Sequence, residues 1–224
     1  MSLLRSLREA FAPETDGVHV GVHMPDSLAA PAGAVPITLR AMDAQDYDEW
    51  NDLRWRNREW LRPWESGDPQ HGPGISFNAW LQRQHRDESN GTGALFVIEY
   101  QMRIVGQVSL GAISYGSMRT GVVGYWVDHR HAGLNIAPTA VALLADWALH
   151  DPDGPGLHRL EIAMLPHNAR SRRVAEKLHA HHEGIRPRYM YVNGAWRDHD
   201  TFSLLAEDAP EGFAKRLIGR HARE

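Results

Sequence analysis

Along this chain the apolar residues recur with two different periods, and the places where one period gives way to the other mark out its elements. Ile37, Leu39 and Arg40 predict a first strand, after which Asp43 can cap a helix carrying Tyr47, Trp50 and Leu53. Trp55 to Glu65 places three tryptophans among Arg and Pro, and Pro63 ends any helix there. That stretch reads equally as amphipathic packing under a loop or as the wall of a substrate cleft. Phe77 to Gln84 predicts a second helix, Asn90, Gly91 and Gly93 a turn, and Leu95 to Tyr100 a strand. Ile104 to Leu110 and Gly121 to Val127 continue the alternation across short turns, the pattern of consecutive antiparallel strands.

From Pro138 to Leu149 the period lengthens. Ala140, Leu143, Leu144 and Trp147 fall at helical spacing, and Pro138 suits a first helical turn. A loop from Asp151 to Gly156 leads to a strand at Leu160 to Leu165, then to a helix from Asn168 to His179 with Val174 and Leu178 inward and arginines outward. Strands near Arg188 to Val192 and Thr201 to Leu205 flank a turn at Asn193 and Gly194. The order is that of a mixed α/β domain. Ahead of it lie a helical pattern from Met1 to Phe11 and a Pro, Ala and Gly-rich stretch from Pro25 to Pro36, so residues 1–34 read as an N-terminal helix and linker, 35–208 as the domain and 209–224 as a C-terminal helix. Phe213, Leu217 and Ile218 of that tail can dock on their own domain or on a second copy, which leaves a homodimer open.

Composition narrows the chemistry. The chain has 224 residues, 42% apolar and 23% charged, as expected of a folded globular protein. Its net charge of −4, with Lys and Arg scattered, argues against nucleic acid as partner. The absence of cysteine excludes disulfides, thiolate metal sites and a sulfur nucleophile. No apolar run reaches the ~18 residues of a membrane span. The nearest, Ala137 to Leu149, is interrupted by Asp146. No secretory apolar region follows the N-terminal pattern, so a cytoplasmic location without membrane contact is expected. Although there are fourteen histidines, His179, His181 and His182 form no ligand spacing with nearby carboxylates, and no metal is expected.

The most informative place is the junction from Gly124-Tyr125-Trp126-Val127 through Asp128, His129, Arg130, His131, Ala132, Gly133, Leu134 and Asn135 into a helix. Amides at a helix start lack carbonyl partners and sit at the positive end of the dipole, so they can hold an anion that Gly133 allows to come close. Such a turn is commonplace, and these residues alone leave an ordinary loop equally open.

Arg130, Gly133 and Asn135 resemble the Q/R-x-x-G-x-G/A loop of the GNAT acetyltransferase superfamily, with Asn135 where Gly or Ala is usual. Asn168, Ser171, Val174, Glu176, Lys177 and Leu178 are similar to the N-x-x-S…V-x-E-K-L helix of its RimJ/RimL group, with His179 and Ala180 in place of Gly and Phe. Asn193-Gly194-Ala195-Trp196-Arg197-Asp198 resembles that group's N-G-x-W-R-D turn, and Asn57, Leu61, Pro63 and Trp64 its N-x-x-x-L-x-P-W segment. The resemblance implies a GNAT fold: a mixed, mostly antiparallel twisted sheet with helices on both faces. It implies an acetyl-CoA-dependent N-acetyltransferase whose acceptor is a protein or peptide N-terminal amine, such as a ribosomal protein's. His131, Ala132, Gly133, Leu134, Asn135 and Ile136, with Arg130, are then expected to bind the CoA pyrophosphate, Trp126 and Val127 to lie beside the thioester, and Asn168 and Ser171 to meet the pantetheine arm.

Acetyl transfer needs a neutral amine, support for a developing oxyanion and a proton for the leaving sulfur. Ser171 is the expected acid and a strand amide the oxyanion donor. Glu161 is the candidate base, with an ion-paired strand-end carboxylate as the alternative reading, and His167 stands behind it. A GNAT enzyme for a small amine, or a noncatalytic acyl-CoA-binding module, would share every cofactor residue named.

Overall fold

The computed structural model describes residues 21–70 and 75–221. The helix expected at Met1 to Phe11 lies outside them. In chain order the elements are β1 (Leu28–Ala29), β2 (Ile37–Ala41), α1 (Tyr47–Arg56), α2 (Arg58–Leu61), α3 (Phe77–Ser89), β3 (Ala94–Tyr100), β4 (Arg103–Ser114), β5 (Thr120–Val127), α4 (Ile136–His150), β6 (Arg159–Met164), α5 (Ala169–Lys177), β7 (His181–Val192), β8 (Ala195–Leu205) and α6 (Phe213–His221). The strands form one sheet in the order β1-β2-β3-β4-β5-β6-β8-β7. Every pairing is antiparallel except that of β5 with β6, where α4 makes the crossover.

Strand β3 shows why helices cover both faces. Ala94, Phe96 and Ile98 point into the main core with α4, while Leu95 and Val97 point the other way to meet Leu53 of α1 and Leu81 of α3. Helix α4 is buried on nearly all sides, and its Trp147 meets Phe96 edge-on at 5.2 Å. Asp146, the residue that breaks the apolar run, accepts the Phe213 and Ala214 N–H groups and so caps α6, docking the C-terminal helix on its own domain.

Two elements differ from the sequence pattern. The Pro-rich stretch contains β1, which pairs Leu28 with Leu39 and Ala29 with Thr38. Strands β7 and β8 begin well before the positions that their apolar residues suggest. Pro187, a left-handed Arg188 (φ 49°) and two register shifts interrupt β7, so no clean alternation marks its first half. At the hairpin tip Asn193 (φ 49°) and Gly194 (φ 77°) are both left-handed, the geometry that a two-residue hairpin turn requires.

Candidate active site

A gap in the sheet creates the site. Strand β5 pairs with β6 only at Thr120, Gly121 and Val122, whereas its pairing with β4 continues to Val127. From Val123 to Val127 one hydrogen-bonding edge of β5 therefore has no ladder partner among the described residues, and the two strands diverge. Gly106 of β4 fixes the position of β5 there, since a Cβ on it would lie 2.3 Å from the Trp126 carbonyl oxygen.

On one side of the gap lies a cleft of about 290 Å³, walled by Trp60, Trp126, Val127, the His131–Pro138 turn and the inner side of α5. Its floor is the start of α4. Asn135 precedes that helix at φ 62°, ψ 12°, a left-handed conformation that Asn tolerates better than most residues, and its side chain does not cap the helix. Instead Lys177 Nζ donates to Asn135 Oδ1. The first-turn amides of α4, which have no intrahelical carbonyls to bond, are thus left without a side-chain cap. Gly133, at φ 87°, has open space where a Cβ would stand, and the buried Nδ1 of His131 has no hydrogen-bond partner. An uncapped dipole end and an open approach fit a phosphate group, while the His131 Nδ1 faces the Asp128 carboxylate at 3.7 Å.

The loop is held from below. Burial opposes ionisation of Asp128, but hydrogen bonds from the Arg130 guanidinium and amide and from Asn57 outweigh it and hold the carboxyl at about 2. Asn57, fully buried, also accepts the His129 N–H at 2.9 Å and donates to the Leu53 carbonyl at 2.9 Å. It thereby ties the tryptophan-bearing segment to the anion loop.

On the other side of the gap is a wider cavity of about 810 Å³. Strands β7 and β8 contribute Tyr189, Met190 and His199 to its wall, and the segment after α2 contributes Trp64, Glu65 and Ser66. The two spaces share Leu61, Trp64, Tyr125, Trp126, Asn168 and Ser171. At this junction Tyr125 Oη lies 2.7 Å from Ser171 Oγ, and Asn168 Oδ1 accepts the Ser171 N–H at 3.2 Å, capping α5. Burial pushes the Tyr125 phenol well above its ordinary pKa, so it stays protonated beside the serine.

Trp126, Val127, His131, Ala132, Gly133, Asn135, Ile136, Asn168 and Ser171 all line the narrower cleft. Arg130 and Leu134 do not; Arg130 turns down to Asp128 at 2.6 Å, and the Leu134 side chain is exposed. Glu161 lines neither space. It is buried, with Arg186 at 2.9 and 2.6 Å on its two oxygens and the Tyr189 hydroxyl donating at 2.7 Å. His167 stands beside Trp64 in a third opening, with ring centroids 5.3 Å apart. Of the three clustered tryptophans, Trp60 and Trp64 reach the cleft, whereas Trp55 is exposed under Arg58. Sequence reasoning passed over Tyr125 and His199. Tyr125 sits one residue before the expected Trp126, but nothing in a strand pattern marks which phenol will meet a serine 46 positions on. Among the described residues no group of three or more His, Asp or Glu side chains is placed to hold a metal, and no helix is long and apolar enough to cross a membrane.

Residues 37–181 match the model of the acetyltransferase (GNAT) domain family. The chain is 31% identical to the probable N-acetyltransferase YjcK of Bacillus subtilis, over 77% of this chain and 95% of that protein. It is 26% identical to the ribosomal protein uS5-alanine N-acetyltransferase of Escherichia coli, over 75% and 87% of the two chains. Its fold superposes on Mycobacterium smegmatis RimJ in complex with CoA-disulfide with a TM-score of 0.75 and 29% identity, covering 87% of this chain and 93% of that one. With a sheet that parts at one strand pair, a helix start left open for phosphate and a family match over most of its length, the chain belongs to the GNAT acetyltransferases and is an acetyl-CoA-dependent N-acetyltransferase.

Proposed function

We propose that this protein acetylates the N-terminal α-amine of a protein or peptide, in the cytoplasm, by direct attack within a ternary complex. The observation that carries the reading is the meeting of two spaces through the sheet gap, a narrow one at the start of α4 and a wider one under β7 and β8. Two substrates can approach Ser171 from opposite sides without a covalent enzyme intermediate. A peptide end suits the wider space, and the relative named for acting on ribosomal protein uS5 supports a protein acceptor.

Acetyl-CoA supplies the acetyl group as a thioester. The α4 amides and Gly133 hold its pyrophosphate, and the unpartnered edge of β5 near Trp126 and Val127 offers main-chain N–H groups to the developing oxyanion. Ser171 gives a proton to the departing sulfur. Tyr125 Oη, 2.7 Å from Ser171 Oγ, holds the serine hydroxyl at the gap and can exchange a proton with it. Asn168 fixes the first turn of α5, and with it the serine. Glu161, with both oxygens engaged, holds Tyr189 in the acceptor wall.

The test is release of free thiol from acetyl-CoA with a panel of N-terminal peptides and small amines, comparing wild type with Ser171→Ala. Turnover of peptides, lowered about 100-fold in the variant with the acetyl-CoA KM little changed, is expected of a lost proton donor. Turnover of small amines alone would move the acceptor to that class, and CoA binding without any turnover would make the protein a binding module.

A further inference from the structure

We infer that His199 is the general base that takes the proton from the acceptor nitrogen. The inference rests on the reading that the wider cavity receives the acceptor. His199 is 4% exposed and lines that cavity, and its Nδ1 lies 3.0 Å from the Arg197 carbonyl oxygen. A carbonyl oxygen can only accept, so Nδ1 carries the hydrogen and Nε2 keeps a lone pair. Among the described residues Nε2 has no hydrogen-bond partner, yet it is not a sealed atom; the one buried side-chain nitrogen or oxygen without a partner there is His131 Nδ1. The backbone carbonyl thus selects the tautomer in which Nε2 is the basic nitrogen of a residue that lines the cavity.

The other ionisable groups on that wall are already engaged. Glu65 pairs with Arg54. Tyr189 donates to Glu161, and burial and that carboxylate raise its phenol, which keeps it protonated. Glu161, behind the wall, is held by Arg186. Around the imidazole, Tyr189 presents its ring at 6.0 Å and Arg186 stands opposite on β7 with its charge matched by Glu161. The neighbouring Asp200 is tied to Arg172 and His182. On the side of α5 and β5 stand the neutral Ser171 and Tyr125. No unpaired charge among these groups competes for the role.

The step balances from the neutral amine. As the nitrogen forms its bond to the thioester carbon, one N–H bond breaks and His199 Nε2 takes the proton. The C–S bond breaks with its electron pair on sulfur, which takes the Ser171 proton. Solvent then removes the proton from His199 and restores one to Ser171 through Tyr125.

The experiment compares wild type, His199→Asn and His199→Ala by thiol release across pH 6–9.5, using whichever amine the wild type turns over. Asn keeps a donor for the Arg197 carbonyl but offers no base. Expected is a loss of kcat of about 100-fold at pH 7 in His199→Asn. That gap should narrow at high pH as hydroxide takes over, with the acetyl-CoA KM and the CoA-induced rise in melting temperature unchanged. Added imidazole should restore part of the activity of His199→Ala. Activity within threefold of wild type at pH 7, or an equal loss at every pH without rescue by imidazole, overturns the assignment. If the wild type acetylates small amines but no peptide, the peptide reading falls and the base is judged on the small amine.

Discussion

Helices α4 and α5 both begin at the lining of one cleft, and their first turns are built in opposite ways. At α5, Asn168 folds its side chain back onto the Ser171 N–H, in the usual manner of a helix cap. At α4, a residue of the same type precedes the helix in a left-handed conformation and sends its side chain across the cleft to Lys177. Their bodies differ as well: α4 is buried and apolar, while α5 sets an apolar seam at Val174 and Ala175 against arginines, of which Arg170 and Arg173 line the cleft and Arg172 pairs with Asp200. On the proposed reading, one helix start is closed so that a side chain can act, and the other is left open so that main-chain amides can. The same amino acid serves both purposes because the backbone dihedral, rather than the side chain, decides where the amide group points.

The sharpest way to break this contrast is to fill the open end. Gly133→Val introduces side-chain bulk where there is now free space, at a φ that a β-branched residue tolerates poorly. Loss of one or two charge-assisted hydrogen bonds to the pyrophosphate is expected to weaken CoA binding about 100-fold, as read by calorimetry. A change below fivefold would sink the anion-nest reading.

Removing the support beneath that end comes next. The Asp128 carboxyl titrates at about 2 in the folded protein against an ordinary 3.8. A lowered folded pKa adds stability that is fully present above about pH 5 and is lost as pH falls towards 2. Because Arg130 is exposed and screened, the contribution is about 1–2 kcal/mol. Asp128→Asn should therefore melt lower than wild type at pH 7 and show a flatter fall in melting temperature between pH 5 and 3. Parallel curves for the two proteins would argue against the ion pair.

The smallest effect is expected at the closed end. Asn168→Ala should cost about 1 kcal/mol in urea unfolding, the worth of a helix cap. It should also lower kcat more than it raises the acetyl-CoA KM, since the turn that presents Ser171 is loosened. An unchanged kcat would separate the cap from the chemistry.

Much of this arrangement was legible in the chain. Strand alternation from Leu95 to Val127 and the helical run after Pro138 carry the order of the core, because each buries an apolar face at its own period. The cleft walls at His131 to Ile136, Asn168 and Ser171 were legible only through the family resemblance, since a loop of Gly, Asn and His has no period of its own. The long β7 was hidden because an edge strand with bulges buries few side chains, and β8 because its first residues, Trp196 to Asp198, are exposed near the hairpin tip. Glu161 shows the limit most clearly. A carboxylate on the right strand says nothing of whether an arginine 25 residues later has already claimed it. His199 was passed over for the converse reason, a polar residue in a hairpin whose burial depends on which strands flank it.

The parting of β5 from β6 has a consequence for how such a protein changes over time. The opening is a property of how two strands travel, so its width answers to the paths of whole chain segments rather than to the size of any one side chain. Point substitutions can decorate its rims, as the tryptophans and the β7–β8 hairpin do, but closing it would demand a new register across the sheet. A lineage can therefore vary the rim residue by residue while the opening itself stays out of reach of ordinary drift.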